Sequence, residues 1–242
     1  MTTIAVYSLK GGVGKTTLAV NLAWAAATLS ARRTLLWDLD AQAASSWLLG
    51  ADGPGKWPAS AAITGDVEPP ALIRATAVER LALLPADASL RSLDRLFHDL
   101  DKKKRLAKLA TALAGAYDRI VVDCPPGLTD TSDQVLRAAD LVVVPVIPAP
   151  LATRAFEAVA AYVSGRKGTG VALLPVFTMV DRRRALHRAA LEAQPDWPVI
   201  PMASAIEAMT SARAPVGSYA PRTPAAVAIG ALWRAVEKAV AR

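Results

Sequence analysis

The chain has 242 residues, of which 53% are hydrophobic and 20% are charged; this excludes a disordered chain, and we expect one domain over residues 1–242. A single cysteine, Cys124, excludes an internal disulfide framework and a zinc site made of several cysteines. The formal net charge of +7 fits either a solvated surface or a polyanionic partner such as DNA, RNA or an anionic membrane.

The first predicted elements are two strands with a helix between them. Residues 4–7 and 34–37 are short apolar runs that favour buried strands. Between them, Leu18 and Leu22 recur at helical spacing, which predicts a helix from a glycine-rich loop to about residue 31. The N-terminus lacks a signal-like pattern, and no segment has the roughly 18 uncharged apolar residues of a spanning helix. We therefore expect a cytoplasmic protein.

The middle of the chain is less regular. Most of the local glycines and prolines lie in residues 51–70, which predicts a loop or an insertion. Residues 81–84 predict a short strand. A basic helix is predicted over about residues 90–114, and it includes the basic run of residues 102–105.

The later strands decide the predicted fold class. Residues 119–123, 141–146 and 171–180 are apolar runs without polar alternation, as in a parallel sheet that is covered on both faces. The helical patterns between them suit crossover connections, and residues 224–242 predict a closing helix. The predicted fold class is α/β, with a doubly wound, mostly parallel sheet flanked by helices.

The glycine-rich loop between the first strand and the first helix carries the main chemical prediction. Its glycines let backbone N–H groups approach phosphate oxygens, and the helix that follows adds the positive end of its dipole. Lys15 can reach the β- and γ-phosphates of a nucleotide, and Thr16 offers a hydroxyl to Mg²⁺. The alternative is a glycine-rich turn with two surface lysines. The predicted phosphate-binding residues are Lys10, Gly11, Gly12, Val13, Gly14, Lys15, Thr16 and Thr17.

This loop departs from the strict phosphate-loop motif, because Leu9 stands where that motif has glycine and Lys10 adds a second lysine. In this form it resembles the deviant Walker A box of the ParA/MinD family of P-loop ATPases. Residues 38–42 resemble the family's switch I, and residues 117–126 resemble its Walker B strand and switch II. Later landmarks of the family match at residues 138–148, 178–183 and 200–201.

The resemblance implies the P-loop NTPase fold and a slow, partner-stimulated hydrolysis of ATP with Mg²⁺. It also implies a nucleotide-sandwich homodimer, in which Lys10 reaches the phosphates bound by the other subunit, much as an arginine finger does. The implied catalytic residues are Lys10, Lys15 and Asp40, and Asp40 would orient or activate the attacking water. Ala41 stands where the family usually has proline, which bears on how firmly switch I is held.

The same resemblance assigns metal and adenine contacts. Thr16, Asp38 and Asp123 would form the Mg²⁺ shell, and Met179 and Pro201 fall where the family contacts the adenine ring. The alternative for the aspartates is an ordinary role at strand ends or helix caps, and for the apolar pair it is a place in the core.

Within the family, the chain is most similar to small ParA-type ATPases, which bind DNA non-specifically as ATP-bound dimers and move a cargo over the nucleoid. The implied partners are a second copy of the chain, non-specific DNA and an adaptor protein that stimulates hydrolysis. The implied location is cytoplasmic and nucleoid-associated. Met202 stands where relatives often have arginine, so part of the usual DNA surface is missing or moved. The candidate DNA-binding residues are Arg182, Arg183, Arg184, Arg213 and Arg222.

Two alternative functions stay open. A MinD-like membrane-associated ATPase would need an amphipathic anchor; residues 228–240 are amphipathic around Trp233, but a terminal helix docked on the domain is the favoured interpretation. A metabolic ATP-dependent enzyme on the same fold would need an additional substrate domain, for which 242 residues leave little room. An iron–sulfur reductase is excluded, because that branch needs two cysteines per subunit.

Overall fold

The computed structural model describes residues 1–53, 55–100, 104–165 and 171–241. Its strands form one sheet in the order β3-β4-β2-β5-β1-β6-β7-β8. Neighbouring strands are parallel except for the β3–β4 pair, which is antiparallel. The strands are β1 (Thr2–Val6), β2 (Thr34–Asp38), β3 (Arg74–Ala75), β4 (Leu81–Leu84), β5 (Arg119–Asp123), β6 (Leu141–Val146), β7 (Ala172–Val180) and β8 (Val199–Pro201).

Helices cover both faces of this sheet. Short 3-10 helices at Pro69–Ala71 and Ala88–Ser92 add to them. The α-helices are α1 (Lys15–Leu29), α2 (Ala44–Leu48), α3 (Ser60–Thr64), α4 (Leu93–Leu100), α5 (Arg105–Ala112), α6 (Asp130–Ala138), α7 (Pro150–Ser164), α8 (Ala185–Ala193), α9 (Ser204–Glu207), α10 (Met209–Ala212), α11 (Val216–Tyr219) and α12 (Pro224–Val240). The architecture confirms the predicted α/β class with a mostly parallel sheet.

The core consists of two layers, one on each face of the sheet. Because successive strand residues point to opposite faces, Ile4 and Val6 of β1 pack with α1 and α12, whereas Ala5 and Tyr7 pack on the other side. All four side chains are fully buried. This arrangement explains why the strand sequences are continuously apolar and do not alternate with polar residues.

The closing helix α12 is docked on the domain through its apolar face. Trp233 is only 2% exposed, and its indole Nε1 donates a hydrogen bond of 2.8 Å to Ser30 Oγ. Ile229, Leu232 and Val236 on the same helix are fully buried. The docked-helix interpretation of the amphipathic tail therefore holds. Within the described ranges, we find no helix with the length and apolar character needed to cross a bilayer.

The predicted basic helix is partly wrong, because the structure divides it. A 3-10 helix at Ala88–Ser92 leads into α4, and α5 follows as a separate helix. Each helix buries apolar residues of its own, Leu93 and Phe97 in α4 and Leu106 and Leu109 in α5. Residues 101–103 of the predicted helix, two of them lysines of the basic run, lie outside the described residues. The predicted loop of residues 51–70 contains the short helix α3.

Candidate functional site

The predicted nucleotide-binding residues meet at the carboxyl edge of the sheet. Residues 8–14 lead from β1 into α1, and the helix begins at Lys15. Gly12 and Gly14 have φ angles of 70° and 92°, in the left-handed region that favours glycine. A Cβ added at Gly11 or Gly12 would meet nothing within 4 Å, so this side of the loop is open to a ligand. The loop thus has the conformation and the access that phosphate binding requires.

Lys15 is drawn into this loop and not extended into solvent. Its side chain is only 7% exposed, and Nζ donates a hydrogen bond of 3.1 Å to the carbonyl of Lys10. Burial lowers the pKa of Lys15, and the carboxylates of Asp123 and Asp40 oppose that shift. The loop is also tied to β7, because the Thr178 hydroxyl donates to the carbonyl of Val13 at 2.9 Å.

Two aspartates lie side by side at the ends of neighbouring strands. Asp38 of β2 and Asp123 of β5 are register partners, and both are fully buried. Burial raises the pKa of both carboxyls; the charge of Asp123 adds to the shift at Asp38, and that of Asp40 adds to the shift at Asp123. Two buried carboxyls with raised pKa values form a site that a cation would stabilise.

The first turn of α2 holds both carboxyls. Ser45 Oγ donates a hydrogen bond of 2.6 Å to Asp123 Oδ2. Ser46 donates to Asp38 Oδ2 through both its hydroxyl, at 2.7 Å, and its backbone N–H, at 2.9 Å. The Ser46 hydroxyl also accepts from the backbone N–H of Ala86 at 2.9 Å. These serines lie just after the predicted switch I, and the sequence analysis missed them.

The donor set fits Mg²⁺. Asp123 Oδ1 is buried and has no hydrogen-bond partner among the described residues; burial raises the pKa of Asp123, and the hydroxyls of Ser45 and Thr16 partly oppose that rise. Hydroxyl and carboxylate oxygens are the ligands that Mg²⁺ prefers, with phosphate oxygens and water completing its shell. In the described ranges, no group of three or more His, Cys, Asp or Glu residues could hold a metal ion alone. The site therefore suits a cation that arrives with a phosphate ligand.

Asp40 occupies the switch I turn at the mouth of this site. Its Oδ1 accepts the backbone N–H of Gln42 at 3.0 Å, and its own N–H donates to Asp38 Oδ1 at 3.1 Å. The carboxylate is partly exposed, unlike those of Asp38 and Asp123. Ala43, at the end of the turn, has a φ of 53°. Asp40 is thus close to the buried pair and still accessible from solvent.

The apolar pair predicted to contact adenine lies beside the phosphate loop. Met179 and Pro201 line a cavity of about 120 Å³ together with Gly14 and Ile206. Met179 Cε lies 4.0 Å from the position of a Cβ added at Gly14. Met179 also has a φ of 54°, and a non-glycine residue in this region is often found at a functional site. Its adenine contact stays a prediction.

All five candidate DNA-binding arginines are exposed, and four of them lie in two loops. Arg182, Arg183 and Arg184 form the turn between β7 and α8, and Arg222 precedes α12. Arg183 donates two hydrogen bonds of 2.9 Å to Asp181, and Arg184 lies 3.8 Å from the same carboxylate. We refer to Arg182, Arg183, Arg184 and Arg222 as the arginine surface.

Arg213 lies apart from the turn of residues 182–184, against α2. Its guanidinium donates hydrogen bonds of 2.7 and 3.1 Å to the carbonyl of Trp47 and lies 4.8 Å from the centre of that indole ring. It also pairs with Asp52 at 3.0 Å. The sequence placed Arg213 with the DNA-binding candidates, and the structure places its side chain against α2, the helix that follows switch I.

A buried tyrosine that precedes the phosphate loop is hydrogen-bonded to the residue that follows the predicted switch II. Tyr7, at the end of β1, donates a hydrogen bond of 2.7 Å from its hydroxyl to the carbonyl of Gly127. Burial raises the pKa of Tyr7 to about 12, so the group stays a hydrogen-bond donor at neutral pH. Gly127 has a φ of 103°, which requires glycine. Nothing in the sequence pattern indicated this contact, because the two residues are 120 positions apart.

Comparisons with known sequences agree with this geometry. The sequence model of a family described as an AAA domain matches residues 1–168. The sporulation initiation inhibitor protein Soj of Bacillus subtilis is 35% identical over 145 residues, which are 59% of this chain and 57% of Soj. The match therefore spans little more than half the length of that relative.

Two solved structures are similar over nearly the whole chain. The cell division ATPase MinD of Pyrococcus furiosus is 25% identical, with a TM-score of 0.82 and 98% of each chain covered. Cobyrinic acid a,c-diamide synthase of Mycobacterium smegmatis, solved with a bound ATP analog and magnesium, is 27% identical with a TM-score of 0.82. That match covers 98% of this chain and 94% of the synthase chain.

Proposed function

We propose that this chain, which belongs to the ParA/MinD family of P-loop ATPases, hydrolyses ATP and uses an ATP-bound homodimer to bind DNA without sequence preference. In this proposal, the protein is cytoplasmic and associated with the nucleoid, and the dimer partitions or positions a cargo over the nucleoid. The observation that carries the proposal is the site around Lys15: an open glycine loop, a buried lysine and two buried carboxyls at one edge of the sheet.

ATP and Mg²⁺ are the proposed ligands. Phosphate oxygens would accept hydrogen bonds from the backbone N–H groups of residues 10–17 and from Lys15, while Met179 and Pro201 would flank the adenine ring. Thr16, Asp38 and Asp123 would hold Mg²⁺, which would neutralise phosphate charge. The unpaired Asp123 Oδ1 supports this assignment, because a buried carboxylate oxygen without a donor is costly unless a ligand satisfies it.

Lys10 and Asp40 are the proposed residues of hydrolysis. The Lys10 ammonium makes no ion pair with any described residue, so its charge is available to a second subunit. A lysine at the loop entrance would stabilise transition-state charge on the γ-phosphate of the facing subunit, as arginine fingers do. Asp40 would orient the attacking water. Hydrolysis would then depend on dimerisation, which gives an adaptor protein a step to stimulate.

DNA would be bound by exposed arginines whose number doubles in a dimer. The proposed contacts are Arg182, Arg183, Arg184, Arg213 and Arg222. Each phosphate contact releases condensed counterions, and the logarithm of affinity scales with the number of contacts. A monomer with few contacts would bind weakly, whereas the dimer would bind well, so ATP would control DNA binding through dimerisation.

The test measures DNA binding and phosphate release with the same preparation. We expect binding to duplexes of unrelated sequence with ATP and Mg²⁺, weak binding with ADP, and a steep loss of affinity with added salt. Equal DNA affinity with ATP and ADP would contradict the mechanism. Absence of DNA binding with ATP would contradict the proposed DNA partner and leave the ATPase proposal to the phosphate-release measurement.

A metabolic ATP-dependent enzyme is the second candidate, and the similarity to a synthase that binds an ATP analog with magnesium favours considering it. Such an enzyme would turn over ATP only with an acceptor small molecule, whereas a partition ATPase would respond to DNA and an adaptor. Phosphate release that is stimulated by DNA without any added small molecule would exclude the metabolic alternative. A MinD-like membrane role has less support, because the apolar face of α12 is buried in the core.

A further inference from the structure

Three consecutive residues of α2 connect the metal-site aspartates to a distant arginine. Ser45 donates to Asp123, and Ser46 donates to Asp38. The next residue, Trp47, offers its carbonyl to the guanidinium of Arg213. The N-terminal half of this short helix is therefore bonded to the carboxyls, and its C-terminal half is bonded to Arg213.

α2 is a short helix with few bonds of its own, held elsewhere by the buried side chain of Leu48 and by the hydrogen bond from Ala86 to Ser46. It has five residues, no side chain caps its N-terminus, and the preceding Ala43 has a φ of 53°. A helix this short is unstable on its own and depends on its tertiary contacts. A cavity of about 690 Å³ lies beside it, lined in part by Ser46, Trp47 and Asp52, so packing is incomplete on that side. On the cavity side, the bonds of Arg213 to Trp47 and Asp52 add to the packing of Leu48 in the core.

Arg213 makes the contacts that such a short helix needs. Besides two hydrogen bonds to the Trp47 carbonyl, its guanidinium packs on the Trp47 indole and pairs with Asp52. The fork of a guanidinium can make these contacts together, which a lysine ammonium cannot. Arg213 itself has a φ of 46°, a conformation that costs energy for a non-glycine residue unless its surroundings maintain it.

We propose that Arg213 is a positioning residue for the Mg²⁺ site: by fixing α2, it keeps Ser45 and Ser46 on the two aspartates that would surround the metal. This role rests on the proposed function, because it concerns the same Mg²⁺–nucleotide site. It goes beyond a DNA contact, since Arg213 acts through α2 and touches neither nucleotide nor metal. DNA that drew Arg213 away from α2 would loosen the metal site.

The test compares ADP binding with Mg²⁺ and ADP binding in EDTA, because a positioning role affects only the first. Arg213→Ala should reduce the gain in ADP affinity that Mg²⁺ provides by about threefold to tenfold, with affinity in EDTA unchanged. Arg213→Lys should keep only part of the gain. Ser46→Ala should reduce it by about tenfold or more, as removal of partners of metal ligands does.

The matched control is Arg33→Ala. Arg33 is also an exposed arginine that bonds a carboxylate and a carbonyl, at 2.8 Å to Asp118 and 3.3 Å to Gly115, but it precedes β2 at the opposite end of the strands. We expect no change in the Mg²⁺ dependence of ADP binding. Because both Arg213 and Ser46 act through α2, the double variant should lose less than the product of the single losses.

Three outcomes would overturn the inference. If Arg213→Ala loses ADP affinity equally with Mg²⁺ and in EDTA, Arg213 serves general stability. If the Mg²⁺ dependence of Arg213→Ala equals that of Arg33→Ala, Arg213 does not act on the metal site. If the effects of Arg213→Ala and Ser46→Ala on ADP affinity are independent, the two residues do not act together through α2. If Arg213→Ala does not fold, Arg213→Lys provides the same comparison. A wild-type chain without Mg²⁺-dependent ADP binding would contradict the proposed function as well.

Discussion

The carboxyl edge of β1, β2 and β5 and the arginine surface hold their charges in different ways. At the sheet edge, Lys15, Asp38 and Asp123 are buried. Lys15 donates a hydrogen bond to the carbonyl of Lys10, and the two carboxylates accept hydrogen bonds from Ser46 and Ser45 of α2. At the arginine surface, the guanidiniums are exposed, and the carboxylate that engages Arg183 and Arg184 belongs to the same turn.

The difference in burial between these two regions predicts where single substitutions should have large effects. A buried charged group has few alternatives to its present partners, so its removal leaves the remaining groups unsatisfied. An exposed arginine is screened by water and salt, and a neighbour can replace it in part. We therefore expect single substitutions to have larger effects at the nucleotide site than at the DNA surface, where the effects should be graded.

The largest effect should come from Lys10→Ala. If Lys10 completes the site of the other subunit, hydrolysis should fall by about a thousandfold, the lower end of what arginine fingers contribute. ADP affinity of the monomer should stay within about threefold, because the proposed Lys10 contact forms only between subunits. Phosphate release measures hydrolysis, isothermal titration measures ADP affinity, and sedimentation of the ATP-bound protein measures dimerisation. Normal dimerisation and hydrolysis in this variant would contradict the proposed action of Lys10 on the other subunit.

The next effect should be a loss of nucleotide affinity in Lys15→Ala. Charge-assisted hydrogen bonds to phosphate contribute about 1.5–3 kcal/mol each, so ADP affinity should fall by about tenfold to a hundredfold. Isothermal titration gives the affinity directly. Lys108→Ala, in an exposed lysine of α5, is the control and should leave it unchanged. Equal affinities of the Lys15 variant and the wild type would show that the loop does not bind phosphate.

A third prediction concerns the stability of the ligand-free site. Burial, with the charge of Asp123, raises the pKa of Asp38 to about 7, so the folded state keeps a proton that the unfolded chain loses at lower pH. The free energy of unfolding should therefore fall as pH rises from about 4 to about 7. Asp38→Asn should reduce that fall by about 1–2 kcal/mol.

Denaturant unfolding in EDTA at about pH 5 and pH 8 measures this difference. Glu79→Gln, in a glutamate whose side chain is 83% exposed, is the control and should behave as the wild type does. A parallel pH dependence of wild type and Asp38→Asn would mean that Asp38 is already ionised at low pH. A raised pKa of Asp38 would then not distinguish the sheet edge from the arginine surface.

The smallest effects should appear at the arginine surface itself. Arg182→Ala should weaken DNA binding by a few-fold and reduce the slope of log affinity against log salt by about one. Arg183→Ala should have less effect, because Asp181 already engages its guanidinium at 2.9 Å. Arg91→Ala is the control on another surface. A complete loss of DNA binding from either single variant would show that this surface is not graded.

Local sequence was sufficient for the loop and for the buried strands. The glycine loop followed by a helix, and the buried strands β1, β2, β5 and β6, depend on residues close together in the chain. The edge strand β3 and the short helices α9 to α11 were missed, because segments of two to four residues carry no periodic pattern. The basic helix was predicted as one element where the structure has a 3-10 helix and two α-helices, since a run of charged residues does not show where a helix ends.

The sequence alone identified the phosphate-binding segment, because its glycines, its lysine and the start of the helix lie within one short stretch of chain. Only the tertiary structure decided what holds that site. Asp38 and Asp123 become neighbours through parallel strand pairing, and Ser45 and Ser46 then reach both of them. Arg213 meets Trp47 across 166 positions of the chain. Such contacts depend on how strands and helices pack, which no local pattern encodes.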